Sequence, residues 1–271
     1  MLRLLPDTGG CKSMSDLRKV FAKGRAFIPF IMAGDPSIEV TQKLVLAMEK
    51  AGADLIEIGI PFSDPIGEGP AIQEASIRAL SGGVNVDKIL SAMESIKESH
   101  DLPIAFMVYA NTVFAYGSYE FMRRCREAGV QALIVPDLPY EEKGELLPYC
   151  SAHGITLISM VAPTSRDRMN LIAKEAEGFL YCVSSMGVTG VRERIGDEAR
   201  EMVRDVRTVT DIPVAVGFGI SKPDQAREIA SFADGVIVGS AIVEIMGTYG
   251  EGCVPYVLEY VHVMKDAIAY V

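Results

Sequence analysis

Residues 213–243, PVAVGFGISKPDQAREIASFADGVIVGSAIV, contain one complete unit of the architecture that we predict for this chain. A short apolar run rich in β-branched residues, 213–219, is followed by a turn and by a segment with helical spacing, 223–231. A second apolar run follows at 235–240. This order of strand, helix and strand is typical of two parallel strands joined by a crossover helix.

The same unit repeats along all 271 residues. Eight apolar runs are predicted to be strands: 27–33, 55–60, 103–110, 132–137, 155–162, 179–185, 213–219 and 235–240. Helical patterns lie between them at 37–52, 119–129, 140–154, 167–178, 197–211 and 223–231, with a short helix at 241–246 and a closing helix from about 254. Asp35-Pro36 is predicted to cap and open the first helix.

Eight alternating units in about 250 residues match a closed (β/α)₈ barrel, the TIM barrel of the α/β class. The alternative is an open doubly wound sheet, which usually has fewer strands and carries a nucleotide-binding fingerprint. Because no Pro/Ser-rich linker divides the chain, we expect one barrel domain over residues 16–271. Residues 1–15 are predicted to form a loosely ordered N-terminal extension.

The composition excludes several classes of function. With 26 Lys and Arg against 36 Asp and Glu, the chain has a formal net charge of −10 and a pI near 4.9. This balance argues against binding to nucleic acid or to an anionic membrane surface. No apolar run approaches the roughly 20 residues of a membrane span. The five cysteines are scattered and no secretory signal is evident, so we expect a cytoplasmic protein with free thiols.

Glu57 lies in the middle of the second apolar run. Strand alternation places Leu55, Glu57 and Gly59 on one face and the isoleucines between them on the other. Because the outer face of a barrel strand packs on helices, we expect Glu57 to point into the barrel, with Gly59 leaving room above it. Burial raises a carboxyl pKa, which suits a general acid–base. The alternative is a structural Glu paired with a buried cation.

Two further features follow predicted strands. The loop 61–70, PFSDPIGEGP, carries Asp64 and Glu68 and is predicted to be a mobile lid, or else a solvated surface loop. Glycines follow the last three strands, in SSMGVTG at 184–190, VGFGIS at 216–221 and VGSA at 238–241. Backbone N–H groups at these glycines, together with the helix N-terminus after Gly239, predict a phosphate site.

The sequence lacks the residues that other kinds of barrel enzyme use for catalysis. None of the lysines lies in a predicted strand, which argues against a Schiff-base aldolase. The three histidines are far apart, which argues against a metal site, and no dinucleotide-binding or P-loop motif follows a strand. The chemistry that remains is acid–base catalysis, without metal or cofactor, on a small phosphorylated compound.

Six segments occur in the order found in one known family: IPFIMAGDPS, DLIEIGIPFSDPIGEGPAIQ, VPDLPYEE, GVTG, VGFGIS and VGSAIV. They resemble the tryptophan synthase α subunit and extend from about Phe27 to Val243. EIGIPFSDP is highly specific to that family, whereas the glycine motifs occur in other phosphate-binding barrels. The resemblance implies a (β/α)₈ lyase that cleaves indole-3-glycerol phosphate to indole and glyceraldehyde 3-phosphate in tryptophan biosynthesis.

The resemblance also implies a partner, a β subunit that holds pyridoxal phosphate (PLP) and receives indole through a tunnel in an αββα complex. No cofactor is expected in this chain itself. The loop 61–70 and the segment 137–139 are expected to form the contact face for that partner.

Roles for individual residues follow from the matching positions. Glu57 matches the family's central acid–base glutamate, and Glu68 matches its second catalytic carboxylate, which is normally Asp. The residues implied to bind substrate are Phe30, Tyr109, Tyr181 and Thr189, and those implied to bind phosphate are Gly190, Gly219, Gly239 and Ser240. Ser185 stands where some members carry Arg, so closure on the phosphate is expected to differ in detail.

Three other functions stay open from the sequence. One is another phosphate-binding barrel enzyme, such as a sugar-phosphate isomerase or epimerase. A second is a stand-alone lyase that releases free indole. A third, from a different class, is a mainly non-catalytic activator of a β subunit, against which the carboxylates at both catalytic positions argue.

Overall fold

The strands close into a barrel. The structure is a computed structural model that describes residues 17–65, 67–183, 197–217 and 219–271. Its eight parallel strands pair in chain order, and the last pairs with the first. They are β1 (Ala26–Met32), β2 (Ile56–Gly59), β3 (Ile104–Met107), β4 (Ala132–Ile134), β5 (Thr156–Val161), β6 (Leu180–Val183), β7 (Val214–Gly217) and β8 (Gly235–Val238). The predicted (β/α)₈ barrel is confirmed.

Helices surround the barrel on its outer face. Within the described residues they are α1 (Ile38–Lys50), α2 (Pro70–Ser81), α3 (Val86–Ile96), α4 (Ala110–Tyr116), α5 (Ser118–Glu127), α6 (Leu147–His153), α7 (Arg166–Lys174), α8 (Asp197–Val206), α9 (Pro223–Ala230), α10 (Ser240–Tyr249) and α11 (Val254–Ile268). Short 3₁₀ helices add Leu17–Phe21, Tyr140–Glu145, Pro163–Ser165 and Gly250–Gly252. All the predicted helices are present, whereas α2, α3 and α4 were not predicted.

Strand alternation sorts the side chains as expected. Leu55 belongs to the cluster that fills the barrel interior, together with Ala105, Ile134 and Tyr181. Ile56, Ile58 and Ile60 belong instead to the larger core between strands and helices. Successive residues of a strand point to opposite faces, so one face lines the interior and the other packs against helices.

Aromatic side chains fill the amino end of the barrel. Phe21 packs on Phe179 with ring centroids 5.6 Å apart, and Leu17 beside them is buried. A Cβ atom on Gly235 would lie 2.9 Å from the Phe21 ring, so glycine makes room for that ring. Residues 1–16 lie outside the described residues, so the predicted N-terminal extension over 1–15 stays a prediction.

The predicted helix cap at Asp35-Pro36 is wrong. The peptide bond between these two residues is cis, and the N-cap of α1 is Ser37, whose hydroxyl accepts the N–H of Val40. Asp35 is fully buried and its carboxylate binds Arg78, 43 residues further along the chain. The Asp35 side chain, which the local sequence predicted to cap α1, therefore forms a long-range ion pair instead.

Among the described residues, no helix combines the length and apolar character that crossing a bilayer requires. Cys125, Cys150, Cys182 and Cys253 are buried free thiols, as the cysteine spacing led us to expect, and Cys11 lies outside the described residues. The cytoplasmic location stays a prediction.

Candidate active site

One cavity at the carboxyl end of the barrel brings most of the predicted site residues together. Its volume is about 290 Å³. Its lining includes both predicted catalytic residues, three predicted substrate-binding residues and three predicted phosphate-binding residues, namely Glu57, Glu68, Phe30, Tyr109, Tyr181, Gly219, Gly239 and Ser240. The two others, Thr189 and Gly190, lie outside the described residues, as does Ser185. Their placement therefore stays a prediction.

Glu57 points into the barrel from the centre of β2. Its backbone is paired with Phe30 on one side and Ala105 on the other, and only 1% of the residue is exposed. The space above it is not open, because a Cβ on Gly59 would lie 2.6 Å from the Phe30 ring. Gly59 does leave room, as expected, and the Phe30 ring that lines the cavity occupies it.

Burial makes Glu57 an unusually weak acid. Desolvation, followed by the negative charge of Glu68, raises the pKa of the Glu57 carboxyl from 4.5 to about 8. Its Oε2 atom has no hydrogen-bond partner among the described residues. Among the described residues, no positively charged side chain compensates the charge of Glu57. The described part of the chain therefore does not support the alternative of a structural Glu paired with a buried cation. At neutral pH this group is largely protonated and can donate a proton into the cavity.

Glu68 enters the cavity from the loop between β2 and α2. Desolvation raises the pKa of its carboxyl to about 7, although a hydrogen bond with the Tyr109 side chain acts in the opposite direction. Its Oε2 atom also lacks a hydrogen-bond partner among the described residues. The two carboxyl groups thus differ in acid strength, and Glu68 is the more readily ionised of the pair.

The loop that carries Glu68 is held at several points. The Tyr109 hydroxyl accepts the N–H of Gly67 at 3.4 Å, and the Tyr109 ring stacks on Phe62 with centroids 4.9 Å apart. Gln73 donates its side-chain N–H to the Glu68 carbonyl at 2.8 Å. Ser63 and Asp64 are exposed at the loop's outer edge. Whether the loop acts as a lid stays a prediction.

Aromatic and sulfur-containing side chains make up much of the remaining wall. Phe30 on β1 and Tyr181 on β6 line the cavity together with Met107 and Met160. A Cβ on Gly217 would lie 2.7 Å from the Tyr181 hydroxyl, so glycine is needed there for the tyrosine to fit. Sequence reasoning missed the packing roles of Gly59 and Gly217 and the place of the two methionines in the cavity wall. An apolar strand residue carries no sequence signal that distinguishes pocket from core.

Glycines and a helix N-terminus form the part of the cavity wall that follows β7 and β8. Gly219 has a positive φ of 75°, a conformation that glycine adopts readily. Gly239 caps α10, whose first residue is Ser240. The N–H groups of a helix's first turn have no partner within the helix and carry partial positive charge. This end of the cavity can therefore accept an anion without a Lys or Arg side chain.

Two strands end earlier than the apolar runs predict, and the mouth of the cavity lies beyond their ends. β3 stops at Met107 and β4 at Ile134, whereas the predicted runs continue to 110 and 137. The N–H of Ala110, the first residue of α4, donates to the Asp137 side chain at 2.9 Å where the chain turns.

Among the described residues, no cluster of three His, Cys, Asp or Glu side chains is arranged to hold a metal ion.

A family model described as "Tryptophan synthase alpha chain" matches residues 17–268 of this chain. The chain is 48% identical over 220 residues to the tryptophan synthase alpha chain of Thermoanaerobacter sp. (strain X514), covering 81% of this chain and 84% of that one. It is 45% identical over 233 residues to the alpha chain of Lacticaseibacillus casei, covering 86% and 88%.

Solved structures agree with the sequence relatives. Mycobacterium tuberculosis tryptophan synthase superposes with a TM-score of 0.86 at 35% identity, covering 96% of this chain and 100% of the other. The alpha subunit from Legionella pneumophila str. Paris gives a TM-score of 0.86 at 33% identity with the same coverage. A structure described as the tryptophan synthase a2b2 complex of Pyrococcus furiosus gives 0.85 at 33% identity, covering 90% and 99%.

The match begins at the first described residue and ends in the last helix, so one family accounts for the whole barrel. The comparisons do not favour a different phosphate-binding barrel enzyme or a mainly non-catalytic activator. This chain belongs to the tryptophan synthase alpha chain family and is a lyase that cleaves indole-3-glycerol phosphate in tryptophan biosynthesis.

Proposed function

We propose that Glu57 and Glu68 carry out the acid–base chemistry of this cleavage and that the chain works with a β subunit. The observation that supports the catalytic roles is the pair of cavity-facing carboxyl groups with raised pKa values, about 8 and about 7. They lie in a cavity with a largely apolar wall and an anion-accepting end. Indole-3-glycerol phosphate has a flat apolar ring and a phosphate, which suit these two features.

Glu57 is proposed to act first as an acid and then as a base. Its protonated carboxyl gives its proton to C3 of the indole ring, which leaves positive charge on the ring nitrogen. The bond between C3 and the glycerol chain then breaks, and its electron pair returns to the ring. The glycerol hydroxyl gives its proton to the Glu57 carboxylate as the aldehyde forms. The products are indole and glyceraldehyde 3-phosphate, and Glu57 is protonated again.

Glu68 is proposed to stabilise the charge that develops on the ring nitrogen. A carboxylate beside the ring N–H becomes more favourable as that nitrogen becomes positive, which lowers the barrier. With a pKa near 7, Glu68 is ionised in a large fraction of molecules at neutral pH. The hydrogen bond from Tyr109 orients this side chain and favours its ionised form. Tyr109, Phe30 and Tyr181 would enclose the ring.

Backbone groups are proposed to bind the phosphate. Gly219, Gly239 and Ser240 line the end of the cavity where α10 begins, and a helix N-terminus favours a phosphate dianion. Thr189 and Gly190 belong to the same proposed site by their family motif alone. An exposed carboxylate, Glu244, also lines this end and would repel the phosphate, so binding depends on local N–H groups rather than on overall charge.

The β subunit is proposed as a partner because a similar solved structure is described as a tryptophan synthase a2b2 complex. The loop 61–70 and residues 137–139 are the proposed contact face, because residues 67–70 of that loop and Pro136, next to 137–139, line the cavity. A cavity that opens at such a face would pass indole directly to the partner. PLP is proposed to belong to that partner, in an αββα assembly, and not to this chain.

Replacing Glu57 tests the central role. We expect Glu57→Gln to lower kcat for indole-3-glycerol phosphate cleavage by roughly 10²–10⁴-fold, because the amide cannot transfer a proton. The assay measures indole release with and without the β chain. Glu94→Gln, which changes an exposed glutamate on α3, is the matched control and should keep full activity. Near-full activity of Glu57→Gln would show that another group transfers the proton.

The same substitution is expected to change stability with a defined pH dependence. The folded state favours the protonated carboxyl of Glu57, so its stabilising contribution is complete below pH 4.5 and is lost as the pH rises through 8. Relative to the wild type, Glu57→Gln should therefore gain stability over this range, on the order of a few kcal/mol. Urea unfolding at several pH values measures the difference. A difference that does not vary with pH would contradict the assigned burial cost.

The longer side chain at position 68 gives a separate test. Glu68→Ala should lower kcat by roughly 10²–10³-fold, because charge at the ring nitrogen loses its stabilising partner. Glu68→Asp keeps the carboxylate one methylene further back and should retain much more activity. Both variants are assayed for kcat at saturating substrate. Equal losses in the two variants would count against a role for the carboxylate.

Gel filtration of the chain mixed with its β chain tests the partner. We expect a shift to a larger species than either chain forms alone. Asp64→Arg, at the exposed edge of the loop, should weaken the complex while leaving indole release by the isolated chain unchanged. Two separate peaks at high micromolar concentrations would contradict the proposed assembly.

A further inference from the structure

Arg78 lies outside the cavity, and no step described so far involves it. It belongs to the last turn of α2, and its guanidinium donates to both oxygens of Asp35, with Nε–Oδ1 at 2.8 Å and Nη2–Oδ2 at 2.7 Å. The Asp35 side chain is completely buried, whereas that of Arg78 is 35% exposed. Two parallel hydrogen bonds fix both the distance and the orientation of the two groups.

Asp35 is anchored to the barrel wall. It follows β1, whose Phe30 lines the cavity. In the turn before it, the N–H of Gly34 donates to the Thr41 hydroxyl at 2.9 Å. Gly34 has a φ of 79°, and a Cβ there would lie 2.3 Å from Val84, just beyond α2. This packing leaves the turn little freedom, so Asp35 is a fixed point for Arg78.

The helix that Arg78 belongs to also carries the loop end with Glu68. α2 begins at Pro70, two residues after Glu68, and the Gly69 carbonyl accepts the N–H groups of Ile72 and Gln73. Gln73 also donates to the Glu68 carbonyl. Glu68 is therefore attached to the first turn of α2, and any shift of the helix moves its backbone.

The guanidinium also touches α10. A Cβ on Gly247 would lie 3.1 Å from Nη2 and 3.3 Å from Cζ of Arg78, so the planar group rests on α10 at the only glycine of that helix. The first residue of α10 is Ser240, at the anion-accepting end of the cavity. Arg78, a side chain of the helix that follows Glu68, thus contacts both the turn after β1 and the helix proposed to bind phosphate.

We propose that Arg78 is a positioning residue, which holds α2 against Asp35 and α10 and so sets the distance from the Glu68 carboxylate to the phosphate-binding end. This inference rests on the proposed roles of Glu68 and Ser240. The distance matters because the substrate's phosphate and ring nitrogen are both fixed at once. A displacement of about 1 Å at a reacting group can cost roughly 10²-fold in rate.

Two substitutions disturb the contact from different sides. Arg78→Lys keeps the positive charge but loses the planar fork that binds both oxygens of Asp35. Gly247→Ala removes no charged group and should not weaken α10, because alanine favours a helix more than glycine does. Its new methyl group forces the guanidinium to move by a few tenths of an ångström. Gly247→Ala therefore keeps the inference testable if Arg78 variants fold poorly.

The full chain is assayed for indole release, alone and with the β chain, at temperatures where each variant is folded. We expect kcat to fall roughly 10- to 100-fold for Arg78→Lys, and less for Gly247→Ala. The acid limb of the kcat/KM profile should move to lower pH, because a displaced Glu68 is less desolvated, and desolvation affects its pKa more than the opposing hydrogen bond with Tyr109 does. Arg227→Lys, in an exposed ion pair with Asp224, should change neither quantity.

A double-mutant cycle identifies the route of the effect. Gly247→Ala should have no further effect on kcat in an Arg78→Met chain, because the group it displaces is gone. The same loss in both backgrounds would overturn the proposal. So would wild-type kcat and an unchanged pH profile in Arg78→Lys while Glu68→Ala is inactive. Full activity of Glu68→Ala would overturn the proposed function together with this inference.

Discussion

Closure of the parallel sheet constrains every other feature of this molecule. β8 pairs with β1 from Ala26 to Pro29, so each strand has a neighbour on both sides and one face confined to the interior. Phe21 and Phe179 fill the amino end. Space for a ligand is therefore left at the carboxyl end, where the strands stop and the connecting segments begin. Groups of the candidate site reach the cavity either from the inner face of a strand, as Glu57 and Tyr181 do, or from a loop that follows a strand, as Glu68 does.

Confinement also sets the acid–base character of the site. A carboxyl group on the inner face of β2 cannot reach water, so burial weakens Glu57 as an acid. Glu68, held at the mouth by a loop, keeps part of its acidity. Two residues of the same type thereby acquire different proton affinities from their positions alone. The burial that suits Glu57 to its proposed proton transfer also makes its ionised form unfavourable in the folded chain, so the proposed catalytic role and stability oppose each other at this residue.

The large negative net charge of the chain says less about its ligands than its magnitude suggests. A formal net charge of −10 argues against nucleic acid as a ligand, yet the substrate of this family is itself an anion. The cavity end formed by Gly219, Gly239 and Ser240 offers backbone N–H groups and a helix terminus, which act over a few ångströms. Long-range attraction would contribute little to the proposed phosphate binding, because the net charge of the chain has the same sign as the substrate.

The sequence by itself determined the strand count, the barrel class, the inward direction of Glu57 and the glycine-rich strand ends, because these depend on periodicity and local residue type. It missed α2, α3 and α4, although Asn85 caps α3 by accepting the N–H of Lys88. Only the tertiary structure decided that Gly59 and Gly217 make room for Phe30 and Tyr181, that Asp35 binds Arg78 instead of capping α1, and that both carboxyl groups are weak acids. Those outcomes depend on contacts between residues distant in sequence and on the loss of water around them, and neither is encoded in the spacing along a single strand or helix.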